Sequence, residues 1–164
     1  MKEIFVLRHG NAEDINECQS KSDFDRKLTE EGKDKIAKLG KFLNKIDSNI
    51  DIVITSPFLR AKETAEIVVN SLDKKPELKI EDFLSPGVSV QEISRGILDK
   101  YSKKDKILIV GHAPDLEIFI GKLIGAKNII LKKGALAKIV LNDSIELNGE
   151  LVWLVTNKVI NSIK

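Results

Sequence analysis

The sequence predicts an α/β domain. The expected architecture is a three-layer sandwich: a mostly parallel central sheet with helices on both faces, and an antiparallel strand pair at the C-terminus. Three observations predict it. Short apolar runs alternate with longer segments of helical periodicity, the pattern of βα units on a parallel sheet. The final part breaks that alternation with two strand-like runs, Ala135–Leu141 and Glu150–Thr156, separated by the turn formers Asn142-Asp143 and Asn148-Gly149. The chain has 164 residues, 42% hydrophobic and 32% charged, which fits a single domain (1–164) able to bury a core.

The elements follow in order. Glu3–Arg8, Ile52–Thr55, Leu78–Ile80 and Lys106–Gly111 read as strands. Thr29 reads as an N-cap, with Glu30 and Glu31 in the first turn, where the helix dipole favours acids. Ile36, Leu39, Leu43 and Ile46 then recur at helical spacing as one core-facing stripe. Ser56-Pro57 reads as an N-cap followed by proline at the first helical position, where a missing N–H costs nothing. Ala61, Ala65, Val68 and Leu72 form the buried face of that helix. A third helix covers Val88 to Lys100, and a fourth follows Pro114 with Leu116, Phe119, Ile120 and Leu123 inward. Lys103-Lys104-Asp105-Lys106 reads as a solvated loop.

Composition excludes several classes. A net charge of +2, with lysines scattered among acids, gives no footprint for nucleic acid. Ile4–Leu7 is too short for a signal-peptide core, and no apolar stretch approaches the roughly 20 residues of a membrane span. The single cysteine, Cys18, excludes an intrachain disulfide and fits a reducing compartment. A cytoplasmic protein without membrane or nucleic-acid partners is expected. Two histidines and one cysteine lack metal-ligand spacing, so neither metal nor cofactor is expected. Gly32-Lys33 is followed by Asp34 and completes no phosphate-loop motif. Phe24 stands where a cysteine phosphatase loop starting at Cys18 would need arginine.

The residues that carry chemistry sit at strand ends. Ile4-Phe5-Val6-Leu7 runs into Arg8-His9-Gly10, and Ile107-Leu108-Ile109-Val110 runs into Gly111-His112; these are the two histidines of the chain. In open parallel sheets ligands bind beyond the carboxyl ends of the strands. The first strand delivers Arg8 and His9 to that rim, the second delivers a helix start carrying Arg60, and the fourth delivers His112. Neutral imidazole has a nucleophilic lone pair near neutral pH, with an unperturbed pKa of about 6.5. Guanidinium matches phosphate with paired, charge-assisted hydrogen bonds, and a helix N-terminus favours an anion. Taken singly, each of the four has a structural reading. Their joint placement points to phosphoryl chemistry.

These residues also resemble a known family. Leu7-Arg8-His9-Gly10, Leu28-Thr29-Glu30-Glu31-Gly32, the long block Ser56-Pro57-Phe58-Leu59-Arg60-Ala61-Lys62-Glu63-Thr64-Ala65, Val110-Gly111-His112 with Pro114, and Gly134-Ala135-Leu136-Ala137 are similar to motifs of the histidine phosphatase superfamily, which includes the phosphoglycerate mutases. The resemblance spans essentially the whole chain and is closest to the small SixA-type phosphohistidine phosphatases. It implies that His9 is the phosphorylated nucleophile. Arg8, Arg60 and His112 would bind the phosphoryl oxygens and stabilise transition-state charge. Asn11 and Arg26, on the loop before the first helix, read either as substrate contacts or as solvated loop residues.

One departure bears on substrate. Many relatives carry a glutamate acid after the third strand, and no residue of Ile80-Glu81-Asp82-Phe83-Leu84-Ser85-Pro86-Gly87 aligns with it convincingly. Glu81 and Asp82 are the candidate general acids; the competing reading is an exposed strand-end carboxylate. An alkoxide is a poor leaving group without a proton donor, whereas imidazole accepts a proton at far milder pH. The connections after the second and third strands are also short and leave few residues for a lid. The expected function is a metal-independent phosphatase with a phosphohistidine intermediate, acting on a phosphorylated protein with a histidine-containing domain. The alternatives are a phosphatase of small phosphorylated molecules and a catalytically silent phosphate-binding module.

Overall fold

The computed structural model describes residues 1–47, 49–143 and 146–163. In chain order the elements are β1 (Glu3–Arg8), α1 (Glu30–Ile46), β2 (Ile52–Thr55), α2 (Leu59–Ser71), β3 (Glu77–Ile80), α3 (Val90–Tyr101), β4 (Lys106–Gly111), α4 (Asp115–Ile124), β5 (Leu136–Asp143), β6 (Asn148–Val155) and α5 (Asn157–Ser162). Short 3-10 turns occupy Asp23–Asp25 and Asp82–Leu84.

The six strands form one sheet in the order β3-β2-β4-β1-β5-β6. β1 pairs with β4, β4 with β2 and β2 with β3, all in parallel; β5 runs antiparallel to both β1 and β6. The period-two alternation of side chains splits the core between two faces. Ile4, Val6, Ile107 and Ile109 face α3 and α4, where Ile93, Ile97, Phe119 and Ile120 cover them. Phe5, Leu7, Leu108 and Val110 face α1, α2 and α5, covered by Ile36, Leu39, Ala61, Ala65 and Ile160. Burying one such aliphatic side chain is worth about 1.5–3 kcal/mol. Burial on both faces explains why β1 and β4 read as unbroken apolar runs.

Several local readings hold in detail. Thr29 caps α1 by accepting the Gly32 N–H at 3.0 Å. The buried faces of α2 and α4 are those the periodicity gave. Others are corrected. α2 begins at Leu59 with Phe58 at the N-cap position, so Ser56-Pro57 precedes the helix; Ser56 is fully buried and its hydroxyl is used elsewhere. Ile46 is 48% exposed, because α1 ends there. α3 starts at Val90 under a Ser89/Glu92 capping box. α5 went unread, its six residues being too few for a periodic signal. The expected turn formers Asn142-Asp143 and Asn148-Gly149 lie in the strands instead: β5 continues through Asp143 and β6 starts at Asn148.

Lys106 is not a solvated loop residue. It opens β4, and its ammonium donates to both Asp47 oxygens at 2.8 and 2.9 Å, while Lys138 reaches Asp47 at 3.1 Å. Burial pushes the Asp47 carboxyl up, but the two lysine hydrogen bonds outweigh it and leave the group below its usual range. This cluster ties α1, β4 and β5 together at the end of the sheet remote from the Arg8 and Gly111 strand ends.

The loop entering β5 presses on the end of β1. Gly134 donates its N–H to the carbonyls of both Arg8 and His9 at 3.0 Å. Its φ of +67° lies in the left-handed region, and a Cβ there would stand 1.9 Å from Asn157 Nδ2. Gly134→Ala is therefore expected to cost about 1–2 kcal/mol from the left-handed conformation alone, more once Asn157 is displaced. Urea unfolding measures this; an unchanged midpoint would contradict the assignment.

Candidate active site

Two strand ends build the centre of the site. β1 and β4 are parallel neighbours in the register Arg8↔Gly111, so the next residues, His9 and His112, emerge side by side. Their ring centroids are 5.1 Å apart, close to the strand spacing of about 4.8 Å. Both are buried, at 6% and 4% exposure.

His9 is oriented by its own chain. Nδ1 lies 2.8 Å from the Gly10 carbonyl, which can only accept, so Nδ1 carries the proton. Nε2 keeps the lone pair, and the Arg60 Nε–H donates to it at 3.3 Å. The Gly10 N–H donates to Thr64 Oγ1 at 3.1 Å, and that hydroxyl donates to the Arg60 carbonyl at 2.7 Å. The first turn of α2 is thereby fastened to the loop that carries His9.

His112 Nε2 lies 2.8 Å from Ser56 Oγ, which also accepts the Phe58 N–H at 3.3 Å. One proton arrangement satisfies this set: Ser56 donates to Nε2, and Nδ1 carries the ring proton. His112 Nδ1 is a buried atom with no hydrogen-bond partner, and so is Arg8 Nε. Arg8 is held by its far end, Nη1 donating to the Leu131 carbonyl at 3.0 Å. The Leu131 N–H in turn donates to Glu117 at 2.8 Å. Leaving a buried polar group unsatisfied costs about 1–3 kcal/mol, and such groups call for a partner outside the protein. Both unmatched donors belong to neighbours of His9, one next to it in the chain and the other next to it in space, and each can donate to an anion's oxygen.

Arg60 is held at three points. Nε faces His9, Nη1 donates to the Asp23 carbonyl at 2.7 Å, and Nη2 donates to Asp23 Oδ2 at 3.1 Å. The other Asp23 oxygen takes Arg26 Nη1 at 2.9 Å, while Arg26 Nε donates to the Glu13 carbonyl at 2.7 Å. Burial raises the Asp23 carboxyl, but the hydrogen bonds and charges of Arg26 and Arg60 bring it below the usual range, so it is ionised. Asp23 is a site residue that sequence reasoning missed. Its signal was faint: an acid three residues before Arg26, in a loop without periodicity.

The electrostatics keep both imidazoles uncharged. Burial chiefly, then the charges of Arg60, Arg8 and Lys133, pull His9 down to about 3 against the opposing Gly10 hydrogen bond. Burial, then His9 and Arg60, pull His112 down to about 3. An uncharged Nε2 with a fixed lone pair, beside two guanidiniums, can attack a phosphorus atom.

The remaining sequence candidates lie farther out. Arg26 joins the site through Asp23. Asn11 docks α1 with its backbone, its carbonyl accepting the Thr29 N–H at 3.0 Å. Glu81 is buried, and its carboxylate is hydrogen-bonded by the Tyr101 hydroxyl and, at 2.6 Å, by Lys100. It follows β3, three strands from β1, or roughly 14 Å at ordinary strand spacing. Asp82 is exposed at the start of a 3-10 turn.

This combination of fold and strand-end histidines has close counterparts. The chain belongs to the histidine phosphatase superfamily (branch 1), whose model matches residues 4–85, and it is a phosphatase-type hydrolase of the SixA-like kind. It is 27% identical over 154 residues to the phosphohistidine phosphatase SixA of Escherichia coli strain K12, covering 92% of this chain and 91% of that protein. The structure of the protein histidine phosphatase SixA complexed with tungstate superposes with a TM-score of 0.85 at 25% identity, covering 96% and 99% of the two chains. An alpha-ribazole phosphatase from Shigella flexneri shares the fold, with a TM-score of 0.74 at 19% identity over 94% and 96% of the chains.

A pH dependence follows from the two uncharged rings. In the unfolded chain each titrates near 6.5, in the fold near 3. Between those values the unfolded state binds more protons, so stability is full above about pH 6.5 and falls as pH drops toward 3. Lowering the pH from 7 to 5 should cost on the order of 1–2 kcal/mol per imidazole. Urea unfolding of the wild type against His9→Gln/His112→Gln isolates this share from that of the carboxylates. An equal acid loss in both proteins would contradict it.

Proposed function

We propose that the chain removes phosphate from phosphohistidine on a protein, through a phosphorylated His9 and without a metal. The observation that carries the reading is the pair of unmatched buried donors, Arg8 Nε and His112 Nδ1, on the neighbours of an uncharged His9 whose Nε2 bears the lone pair, with the Arg60 Nε–H donating to it.

His9 Nε2 attacks the phosphorus while the P–N bond to the substrate imidazole breaks; the bond pair stays on the departing nitrogen, which takes a proton from water. Arg8, Arg60 and His112 hold the phosphoryl oxygens and offset charge in the transition state. Water then attacks the phosphorus of phospho-His9: the P–Nε2 bond breaks with its pair returning to Nε2, orthophosphate leaves, and the proton the water gives up neutralises the hydroxide left by the first step. The Gly10 carbonyl keeps Nδ1–H in place and stabilises the positive charge that grows on His9 when Nε2 bonds to phosphorus. Guanidinium charge does the work a metal would do elsewhere. Asp23 is a positioning residue: it fixes the plane of Arg60 so that Nε points at the reacting nitrogen.

Two features favour a P–N over a P–O substrate. Glu81, the candidate acid, is committed to Tyr101 and Lys100, and imidazole leaves without a strong acid. The sequence relative in Escherichia coli and the tungstate-bound structural neighbour both bear names as protein or phosphohistidine phosphatases.

Incubation with a phosphorylated histidine-containing domain should release phosphate and leave an acid-labile phosphoenzyme that His9→Ala cannot form. Arg60→Ala should lower kcat/KM by about 10²–10³-fold, the usual cost of removing a transition-state donor. Asp23→Ala should lower kcat more than it raises KM, with partial recovery in Asp23→Asn, which keeps one acceptor for Arg60. Normal turnover by His9→Ala would overturn the mechanism. Fast turnover of sugar phosphates with an inert protein substrate, abolished by Glu81→Gln, would instead establish the small-molecule reading.

A further inference from the structure

A row of four rings leads from the buried nucleophile to the surface. The centroids of His9 and His112 are 5.1 Å apart, those of His112 and Phe58 5.4 Å, and those of Phe58 and Phe24 5.0 Å. The His112–Phe58 pair, at 71°, is the edge-to-face arrangement that aromatic quadrupoles favour, and the other two pairs are tilted at 54° and 57°. The two histidines are buried, at 6% and 4% exposure, and the row ends at Phe24, 46% exposed. Among the described residues Phe24 is the one aromatic in the set of exposed large hydrophobic side chains.

The same short turn serves the site twice. Asp23 holds Arg60, and its neighbour Phe24 stacks on Phe58, over whose ring the Arg60 guanidinium carbon lies at 5.1 Å. Phe24 is therefore placed by the contacts that fix the catalytic cation, and nearly half of it is open to solvent. Burying that face in the core would have been favourable by the ordinary hydrophobic term; the turn presents it outward instead.

We propose that Phe24 and Phe58 form the wall that receives the leaving group, and that this wall selects phosphate carried on a flat aromatic amine. The inference rests on the phosphohistidine reading and narrows how that substrate is recognised. A departing imidazole is planar and stacks on a phenyl face. As the P–N bond breaks, its electron pair stays on the ring nitrogen, a proton from water joins it, and the neutral imidazole so formed keeps its ring contact with the phenyl wall. Ammonia or an alcohol leaving from the same phosphorus has no ring to place there.

The test compares two substrates with the same bond and different leaving groups: free phosphohistidine and phosphoramidate, whose leaving group is ammonia. The readout is the ratio of their kcat/KM values. The wild type should prefer phosphohistidine, and Phe24→Ala should lower that ratio by about tenfold, the upper range of one aromatic contact. Phe24→Tyr should restore it. Phe24 is half exposed, so the variant folds; thermal unfolding and near-wild-type circular dichroism check this. A ratio unchanged in Phe24→Ala, or no preference in the wild type, overturns the inference and leaves P–N hydrolysis standing. Wild-type protein that cleaves phosphomonoesters and neither P–N substrate overturns the phosphohistidine reading, and this inference with it.

Discussion

The site depends on one constraint: β1 and β4 are adjacent and parallel, in a register that ends Arg8 opposite Gly111. Because the strands stop together, the residues that follow them stand one strand spacing apart. No loop has to search for that geometry. Buried apolar side chains on both faces of the two strands fix it, and slipping the pairing would move polar termini into the core. The close approach of His9 and His112 is thus a consequence of core packing, and the rest of the site is assembled around it.

What surrounds the pair works against stability. Two imidazoles are kept uncharged by burial among cations, and two buried donors have no partner in the protein. Each feature costs free energy in the protein alone, and on the proposed reading a bound oxyanion compensates it. Local instability of this kind belongs where chemistry occurs, since the ligand supplies the missing contacts. The Asp47 cluster at the other end of the sheet is the contrast. There Lys106 and Lys138 each lie within ion-pair distance of both Asp47 and Glu3, so two cations meet two carboxylates within the protein.

Much of this was legible in the residues. Apolar runs located β1, β2 and β4 because a strand buried on both faces must be apolar throughout. The strand-end rule then placed Arg8, His9 and His112 at one rim, and the block from Ser56 to Ala65 placed Arg60 beside them. Asp23 was not legible. It acts through an irregular turn, and such turns carry no periodicity that marks which side chain points inward. The role of Ser56 was misread for a related reason: serine before proline carries a strong capping signal, but tertiary contact with His112 claims the hydroxyl, and α2 starts later. Glu81 looked like an available acid because sequence reports its charge and place in line. Its partners, Tyr101 and Lys100, come from a helix about twenty residues on and appear only once α3 is folded against the sheet.

The central claim is that Arg8, Arg60, His112 and His9 converge on one tetrahedral oxyanion. A crystal structure of this chain with bound tungstate or vanadate tests it most directly. The account predicts metal-bound oxygens within hydrogen-bond distance of Arg8 Nε, an Arg60 nitrogen and His112 Nδ1, with the central atom facing His9 Nε2. An oxyanion seated elsewhere, or one at this rim that leaves Arg8 Nε and His112 Nδ1 without partners, would contradict it.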